Sequence, residues 1–211
     1  MSAKETYADP GHWAVTAFSA TSLMLGVINA HLINGTAVGI IIPTAFIFGG
    51  IVQIIAAIIE VARGSTFGAV AFGSYGPFWI IVGLYLQFYA KTVAPASVGT
   101  AFALFLWMFA IISLYLFIAS LKTDIVLAII LFILVITFIL LALGQGYNST
   151  TLTETGGWTT IVFAVLGFYH AASGTTASTW GRVLLPVGPL TPKPIEPPDQ
   201  DPHHVMSPVD R

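Results

Sequence analysis

The chain consists of six long apolar stretches separated by short polar connectors. The stretches run approximately over residues 13–33, 38–61, 69–90, 97–120, 124–145 and 158–180. Each holds about 20 residues or more, and at about 1.5 Å of rise per residue a helix of that length spans the roughly 30 Å of hydrocarbon in a bilayer. The apolar positions are continuous and do not alternate at every second residue, which favours helices over the strands of a barrel. The pattern predicts an all-α integral membrane protein with six transmembrane helices.

The composition supports this prediction and excludes other classes of protein. Of 211 residues, 56% are hydrophobic and only 8% are charged, whereas an ordinary soluble domain carries about 25% charged residues. A formal charge of −2 without a basic stretch excludes a nucleic-acid-binding protein. The absence of cysteine excludes disulfides and thiolate metal sites. A polytopic membrane protein, with the lipid bilayer as its surroundings, is the class that remains.

The two ends of the chain differ from the apolar part. Residues 1–12 are polar and acidic and lack a basic segment before a short apolar core, so we expect an uncleaved cytoplasmic N-terminal segment. Residues 186–211 contain eight of the twelve prolines together with Asp, Glu and His, which predicts a disordered, proline-rich cytoplasmic tail. The six-helix transmembrane domain then covers residues 13–185.

The distribution of cations predicts the orientation. With the N-terminus inside, the inner segments hold six of the seven cations and the outer loops hold only Lys91. The six inner cations are Lys4, Arg63, Lys122, Arg182, Lys193 and Arg211. Because positive residues are retained on the cytoplasmic side, both termini are expected in the cytoplasm. We expect the membrane to be the plasma (inner) membrane.

Charged groups are absent from the middle of the predicted spans. Glu60 lies three residues before Arg63, a spacing that suits a local ion pair, with a proton-handling role as the alternative. Without a chain of buried charges the sequence does not suggest a pump with a carboxylate relay. No His and acidic residues are paired at ligand spacing within a span, so we expect no metal site, no cofactor and no enzymatic activity.

Neutral polar residues do occur within the spans, at helical spacing. A polar group in lipid costs free energy unless it finds a partner or water, although small residues also serve close helix packing. Such positions occur on four helices, which favours a polar-lined path between them. They are Ser22 and Asn29 with Phe18 and Leu25 on helix one, Gly49, Gly50 and Gln53 on helix two, Ser74 and Tyr75 on helix three, and His170 on helix six. His170 has two interpretations, a hydrogen-bond partner between helices or a pH-sensing group.

Two of these helices carry an extended motif. Helix two contains Phe48-Gly49-Gly50-Ile51-Val52-Gln53, and the next segment reads GSTFGAVAFGSYGPFW over residues 64–79. These runs closely resemble the acetate uptake transporter family, which includes bacterial succinate–acetate permeases and fungal acetate and ammonia-export proteins. Further matches lie at Ser120-Leu121-Lys122 and in GRVLLP over residues 181–186. Helix one departs from the family signature NPAPLGLxGF, since it reads DPGHWAVTAF over residues 9–18.

The resemblance implies a fold similar to that of proton-gated urea channels, assembled as a homo-oligomer, a hexameric ring with one pore per protomer. It implies a hydrophobic constriction of the substrate pathway formed by Phe18, Tyr75 and Leu134. Gln53 falls in the motif that lines the pore in the family, and Phe48, Gly49, Gly50 and Gly76 are motif positions. Asn29, Ser74 and His170 are the further polar residues expected to line the pore.

The function implied is a membrane transporter or channel for acetate and other short carboxylates, with succinate possible, either coupled to protons or acting as an anion channel. This agrees with the residues, because a path without a fixed cation offers an anion only neutral donors such as Asn29, Gln53, Ser74 and the hydroxyl of Tyr75. Binding should therefore be weak and passage rapid. Two alternatives remain open: a channel for neutral solutes such as ammonia or urea, and a non-transporting membrane sensor.

Overall fold

All six apolar stretches form helices. The computed structural model describes residues 7–191, and within this range six long helices are joined by short connectors. They are α1 (Gly11–Asn29), α2 (Gly35–Ala62), α3 (Thr66–Tyr89), α4 (Pro95–Ser120), α5 (Ile125–Gly146) and α6 (Thr150–Trp180). The all-α architecture predicted from the apolar pattern is confirmed.

The helices differ in how apolar they are. Helices α1 to α5 are long and apolar enough to cross a bilayer, whereas α6 contains more Gly, Ser and Thr and is less apolar. The start predicted for this helix, residue 158, is wrong, because α6 begins at Thr150. The Ser149 hydroxyl accepts the N–H of Leu152, and the Thr160 hydroxyl donates to the carbonyl of Gly156 at 2.7 Å. Because the helix satisfies its hydroxyls internally, a polar run continues it where the sequence suggested a connector.

Helix α2 departs from regular α geometry in two segments that precede Gln53. Gly35–Ile40 forms a 3₁₀ segment and Ala45–Val52 a π segment, with Pro43 between them. Proline lacks the N–H that would close the regular helical hydrogen bond, so the turn around it is free to change its pitch. Such π segments widen a helix locally and re-aim the side chains that follow. Here the residue that follows is Gln53.

The motif glycines allow helices to approach closely at this point. A Cβ at Gly49 would lie 2.7 Å from Cγ of Trp79, and one at Gly50 would lie 2.5 Å from Cγ1 of Ile80. On the facing helix, a Cβ at Gly76 would lie 3.0 Å from the carbonyl oxygen of Gly50. Small residues are the usual means by which membrane helices bring their backbones together. The glycines therefore set the separation of α2 and α3.

An aromatic cluster ties α3 to α4 and α5. The ring of Phe78 lies with its centroid 5.4 Å from that of Phe105, 4.8 Å from Phe109 and 5.3 Å from Phe138. Offset and edge-to-face pairs at these distances are favourable arrangements of aromatic rings. The cluster fixes the centre of the bundle, next to which Tyr75 lies one turn earlier on α3.

The segment that follows α6 folds back onto the start of α5. Gly181 has a φ of +64°, the left-handed conformation that commonly ends a helix at glycine. The N–H groups of Ile125 and Val126 donate to the carbonyls of Gly188 at 2.8 Å and Val187 at 3.2 Å. Unpaired N–H groups in the first turn of α5 thereby find partners. The described chain thus continues past residue 185 to Thr191, and residues 192–211 of the predicted tail lie outside the described range.

Candidate functional site

A cavity of about 380 Å³ opens between the helices at one end of the bundle. This end is where α1, α3 and α5 begin and where α2 and α6 finish. Its lining is mostly apolar and comes from α1, α2, α3, α5 and α6 together with the segment just before α1. The lining includes Asp9, His12, Phe18, Ser19, Gln53, Glu60, Arg63, Tyr75, Leu131, Leu134 and His170. We refer to this cavity as the vestibule.

A second, much smaller cavity of about 30 Å³ lies deeper in the bundle. Its lining includes Ser22, Trp79 and Thr137 and, in common with the vestibule, Phe18 and Leu134. Because these two side chains face both spaces, they form the partition between them. We call this space the inner cavity.

A third buried side chain, Tyr75 of α3, lines the vestibule at this partition and packs against Phe18. Phe18, Tyr75 and Leu134 are only 8%, 4% and 2% exposed, and the rings of Phe18 and Tyr75 have centroids 5.2 Å apart. The ring of Phe18 also stacks on Phe163 of α6, with centroids 5.7 Å apart. We call Phe18, Tyr75 and Leu134 the apolar layer. These are the residues for which the family resemblance implied a constriction.

The hydroxyl of Tyr75 is already engaged within the protein. It shares a hydrogen bond of 2.9 Å with the hydroxyl of Ser113 on α4, and both residues are buried. This bond links α3 to α4 and holds the ring of Tyr75 in place. The layer is therefore apolar in effect, since its one polar atom is satisfied away from the partition.

Buried polar atoms on both sides of the apolar layer lack a partner among the described residues. On the vestibule side, Nε2 of Gln53 donates to the carbonyl of Gly49 at 2.6 Å. The Oε1 atom of Gln53 and the hydroxyl of Ser19 make no hydrogen bond with the described residues. On the inner side, the hydroxyl of Ser22 and the indole N–H of Trp79 are in the same condition. A buried polar atom without a partner is costly, so each marks a point where water or a polar solute would be held.

Charged groups lie at the end of the vestibule where α2 finishes. Arg63 pairs with Asp9 at 3.4 Å and with Glu60 at 4.0 Å, which confirms the local ion pair predicted from the spacing of Glu60 and Arg63. The guanidinium also donates to the carbonyl of Tyr7 at 2.6 Å. These contacts attach the segment just before α1 to the end of α2 and place both signs of charge beside the vestibule.

His170 lies beside the vestibule and is bonded across helices. Its Nε2 lies 3.0 Å from Oδ2 of Asp124, the residue that precedes α5 and accepts the N–H of Leu127 with Oδ1. His12, in the first turn of α1, has its ring centroid 6.0 Å from that of His170. Sequence reasoning did not single out His12 or Asp124. The available signals were the departure of residues 9–18 from the family signature and the position of Asp124 as a helix cap.

The other predicted pore residues lie elsewhere. Asn29 is the last residue of α1, and neither it nor Ser74 lines the vestibule or the inner cavity. Phe48 is half-buried within the π segment of α2 and also lines neither. Their assignment to the pathway remains a prediction. Gly49, Gly50 and Gly76 act through helix packing, as described above.

Comparison with known proteins gives a consistent family. The model of the GPR1/FUN34/yaaH family matches residues 1–192. The succinate-acetate/proton symporter SatP of Escherichia coli K12 is 30% identical over 182 residues, which cover 86% of this chain and 95% of that protein. Acetate permease A of Emericella nidulans is 30% identical over 196 residues, covering 86% of this chain and 66% of the permease.

Two further similarities bear on fold and on function. The structure of the bacterial acetate channel SatP superposes with a TM-score of 0.81 at 28% identity, covering 86% of this chain and 99% of the channel. Ammonia transport outward protein 2 of Saccharomyces cerevisiae is 28% identical over 173 residues, covering 80% of this chain and 61% of the yeast protein.

Proposed function

Because the chain belongs to the GPR1/FUN34/yaaH family, we propose that it is a membrane transporter or channel for acetate and other short carboxylates, succinate among them. The observation that carries the proposal is the apolar layer of Phe18, Tyr75 and Leu134, which separates two cavities lined in part by unsatisfied neutral polar atoms. The relatives and the solved channel supply the chemical class of the cargo.

The geometry suits a small carboxylate in three respects. The vestibule, at about 380 Å³, is large enough for a hydrated acetate, whereas the inner cavity, at about 30 Å³, has room for very few water molecules. The unsatisfied oxygen of Gln53 and the hydroxyl of Ser19 can exchange hydrogen bonds with water or with the acid form of the cargo. The apolar layer admits a species that sheds its water easily, and it opposes an ion.

We propose the wider arrangement from the distribution of charge and from the family resemblance. The vestibule lies at the end of the bundle that holds Arg63, Lys122 and Arg182, so the positive-inside bias assigns it to the cytoplasmic side. Both termini are then cytoplasmic. The protein lies in the plasma membrane, and its transport of carboxylates is coupled to protons. The protein assembles as a hexamer with one pathway in each protomer.

Uptake into proteoliposomes tests the proposal directly. Purified full-length protein should accumulate labelled acetate, and an imposed gradient that is acidic outside the vesicle should accelerate the uptake. Leu134→Trp fills the apolar layer and should abolish uptake, whereas Ile129→Trp places the same bulk on a side chain of α5 that is 43% exposed and should leave uptake intact. Equal uptake by the two variants would contradict a pathway through this layer. A parent protein that moves no acetate would contradict the proposal itself.

A second candidate function is the passage of ammonia. The apolar layer opposes ions of either sign and would admit a small neutral base, and a yeast relative bears the name of an ammonia transporter. In the same vesicles, a pH-sensitive dye inside the lumen reports ammonia influx as alkalinisation. Ammonia influx that labelled acetate neither accompanies nor inhibits would favour this function.

A further inference from the structure

Three titratable side chains from separate parts of the chain form a cluster beside the vestibule. His12 comes from α1, Asp124 from the residue before α5 and His170 from α6. The His170 and Asp124 side chains are 12% and 14% exposed, and both histidines line the vestibule. Nothing in the apolar pathway described above requires these three groups.

The cluster contains one hydrogen bond, between His170 and Asp124, and Nδ1 of each ring is left without a partner among the described residues. Asp124 accepts from Nε2 of His170 at 3.0 Å, which assigns the hydrogen to that nitrogen. The Nδ1 atoms of His12 and His170 are buried and have no hydrogen-bond partner among residues 7–191. In neutral His170, Nδ1 is therefore an acceptor, and protonation converts it to a donor. A donor at this nitrogen is what a carboxylate oxygen requires.

The position of His12 is set by packing. A Cβ at Gly174 would collide with the imidazole of His12, so glycine at this point of α6 makes room for the ring. The ring is thus held against α6 at one turn from His170, with the ring centroids 6.0 Å apart. Two imidazoles at this spacing can both reach a single small anion between or beside them.

The charges around the cluster make protonation decisive. The groups that face it are the carboxylates of Asp9, Glu60 and Asp124 and the guanidinium of Arg63, which give a net charge of −2 when both histidines are neutral. Protonation of both imidazoles brings the sum to zero. The hydroxyl of Tyr75, at the far end of the vestibule, is engaged with Ser113 and contributes no charge. An anion is therefore repelled by the neutral cluster and accepted by the protonated one.

We propose that His12, His170 and Asp124 form a protonation-dependent binding site for a small carboxylate in the vestibule. The site rests on the proposed function, which it deepens by naming where the anion is held before it reaches the apolar layer. Asp124 is a positioning residue, since its carboxylate holds Nε2 of His170 and so orients the ring.

Binding of labelled acetate to the full-length protein in detergent, measured from pH 5 to pH 8, tests the site. Because each proton taken up with acetate contributes about a tenfold change per pH unit, the affinity of the parent should fall at least about tenfold for each pH unit above the midpoint. The double variant His12→Gln/His170→Gln should bind weakly with little dependence on pH. His31→Gln is the matched control, because His31 lies at the opposite end of α1, 3.9 Å from Glu154, and should leave the profile unchanged.

A second variant distinguishes the effect of Asp124 on His170 from its effect on the folding of α5. Asp124→Asn keeps an oxygen that can cap α5 but removes the charge next to His170, so the midpoint of acetate binding should move to lower pH while the helical content is retained. A double histidine variant that keeps the pH profile of the parent would overturn the site and leave the proposed function standing. A parent that neither binds nor transports acetate would instead overturn the proposed function.

Discussion

Replacing Leu134 with alanine tests whether the apolar layer limits the size of the cargo. Leu134 is 2% exposed and faces both the vestibule and the inner cavity. Its truncation joins the two spaces by removing three carbon atoms from the partition. Leu131, one turn earlier on α5 and 4% exposed, lines the vestibule alone. The pair Leu134→Ala and Leu131→Ala therefore removes the same atoms from the same helix, on and off the layer.

The magnitude follows from the size of the groups involved. One methylene that does or does not fit a hydrophobic site changes discrimination by about 1–3 kcal/mol, or roughly 10- to 200-fold. Butyrate is two methylenes longer than acetate, so Leu134→Ala should raise the butyrate-to-acetate uptake ratio at least about tenfold. Leu131→Ala should change it by less than about twofold. Both substitutions should cost a similar free energy of unfolding, about 2–5 kcal/mol, because both empty a buried site.

The assay is competition in proteoliposomes, with uptake divided by the amount of correctly assembled protein. The ratio of two cargoes measured on one preparation is insensitive to lost protein, which the absolute rate is not. Equal butyrate-to-acetate ratios in the two variants would refute the reasoning, since removal of volume from the layer would then have no special effect.

Three further predictions concern the bundle around the site. Tyr75→Phe and Ser113→Ala each delete the hydrogen bond between α3 and α4, so each should lower the unfolding free energy by about 0.6–1.7 kcal/mol in thermal melts while the butyrate-to-acetate ratio stays at the parent value. Gly157→Ala forces a methyl group into the backbone at the end of α1 and should prevent assembly as judged by size-exclusion chromatography, whereas Gly35→Ala meets nothing within 4 Å and should be tolerated. A topology reporter fused after Lys91 should read outside and one fused to the C-terminus inside; a C-terminal reporter that reads outside would refute the proposed orientation.

The helices could be predicted because the signal for them is local. A run of about 20 apolar residues is sufficient to specify a membrane helix whatever lies beside it. The start of α6 at Thr150 could not be predicted from an apolar run, because its first turns are polar, and the return of residues up to Thr191 onto α5 could not, because it depends on a distant partner. The polar turn at Thr150 is stabilised by its cap and by internal hydroxyl bonds, and the returning segment by N–H groups of a helix more than 60 residues earlier in the chain.

The candidate site was predictable only in part, for a similar reason. Phe18 and Leu134 were placed by the family resemblance, and the structure does bring them together at one partition. Asn29 lies at helical spacing from Phe18, which predicts that it faces the same path. However, α1 ends at Asn29, and this residue lines neither cavity. His12 and Asp124 are joined to His170 by tertiary contacts that no spacing reveals, although His12 stands where the family signature has a proline.

The apolar layer also bears on the form in which a carboxylate crosses. Transfer of the bare anion out of water costs at least several kcal/mol, because the residues of the layer offer it neither a cation nor a free donor. Protonating a carboxylate whose pKa is near 4.3 costs about 4 kcal/mol at pH 7, at 1.36 kcal/mol for each pH unit, and the neutral acid then loses little on leaving water. The two costs are comparable at neutral pH, and each unit of acidification favours the acid by a further tenfold. Passage as the neutral acid should therefore dominate at acidic pH. The electrical current carried per acetate taken up should then fall as the pH falls. A current per acetate that is constant from pH 5 to pH 8 would mean that the layer passes the anion, and that an opening of the layer wide enough for water must accompany it.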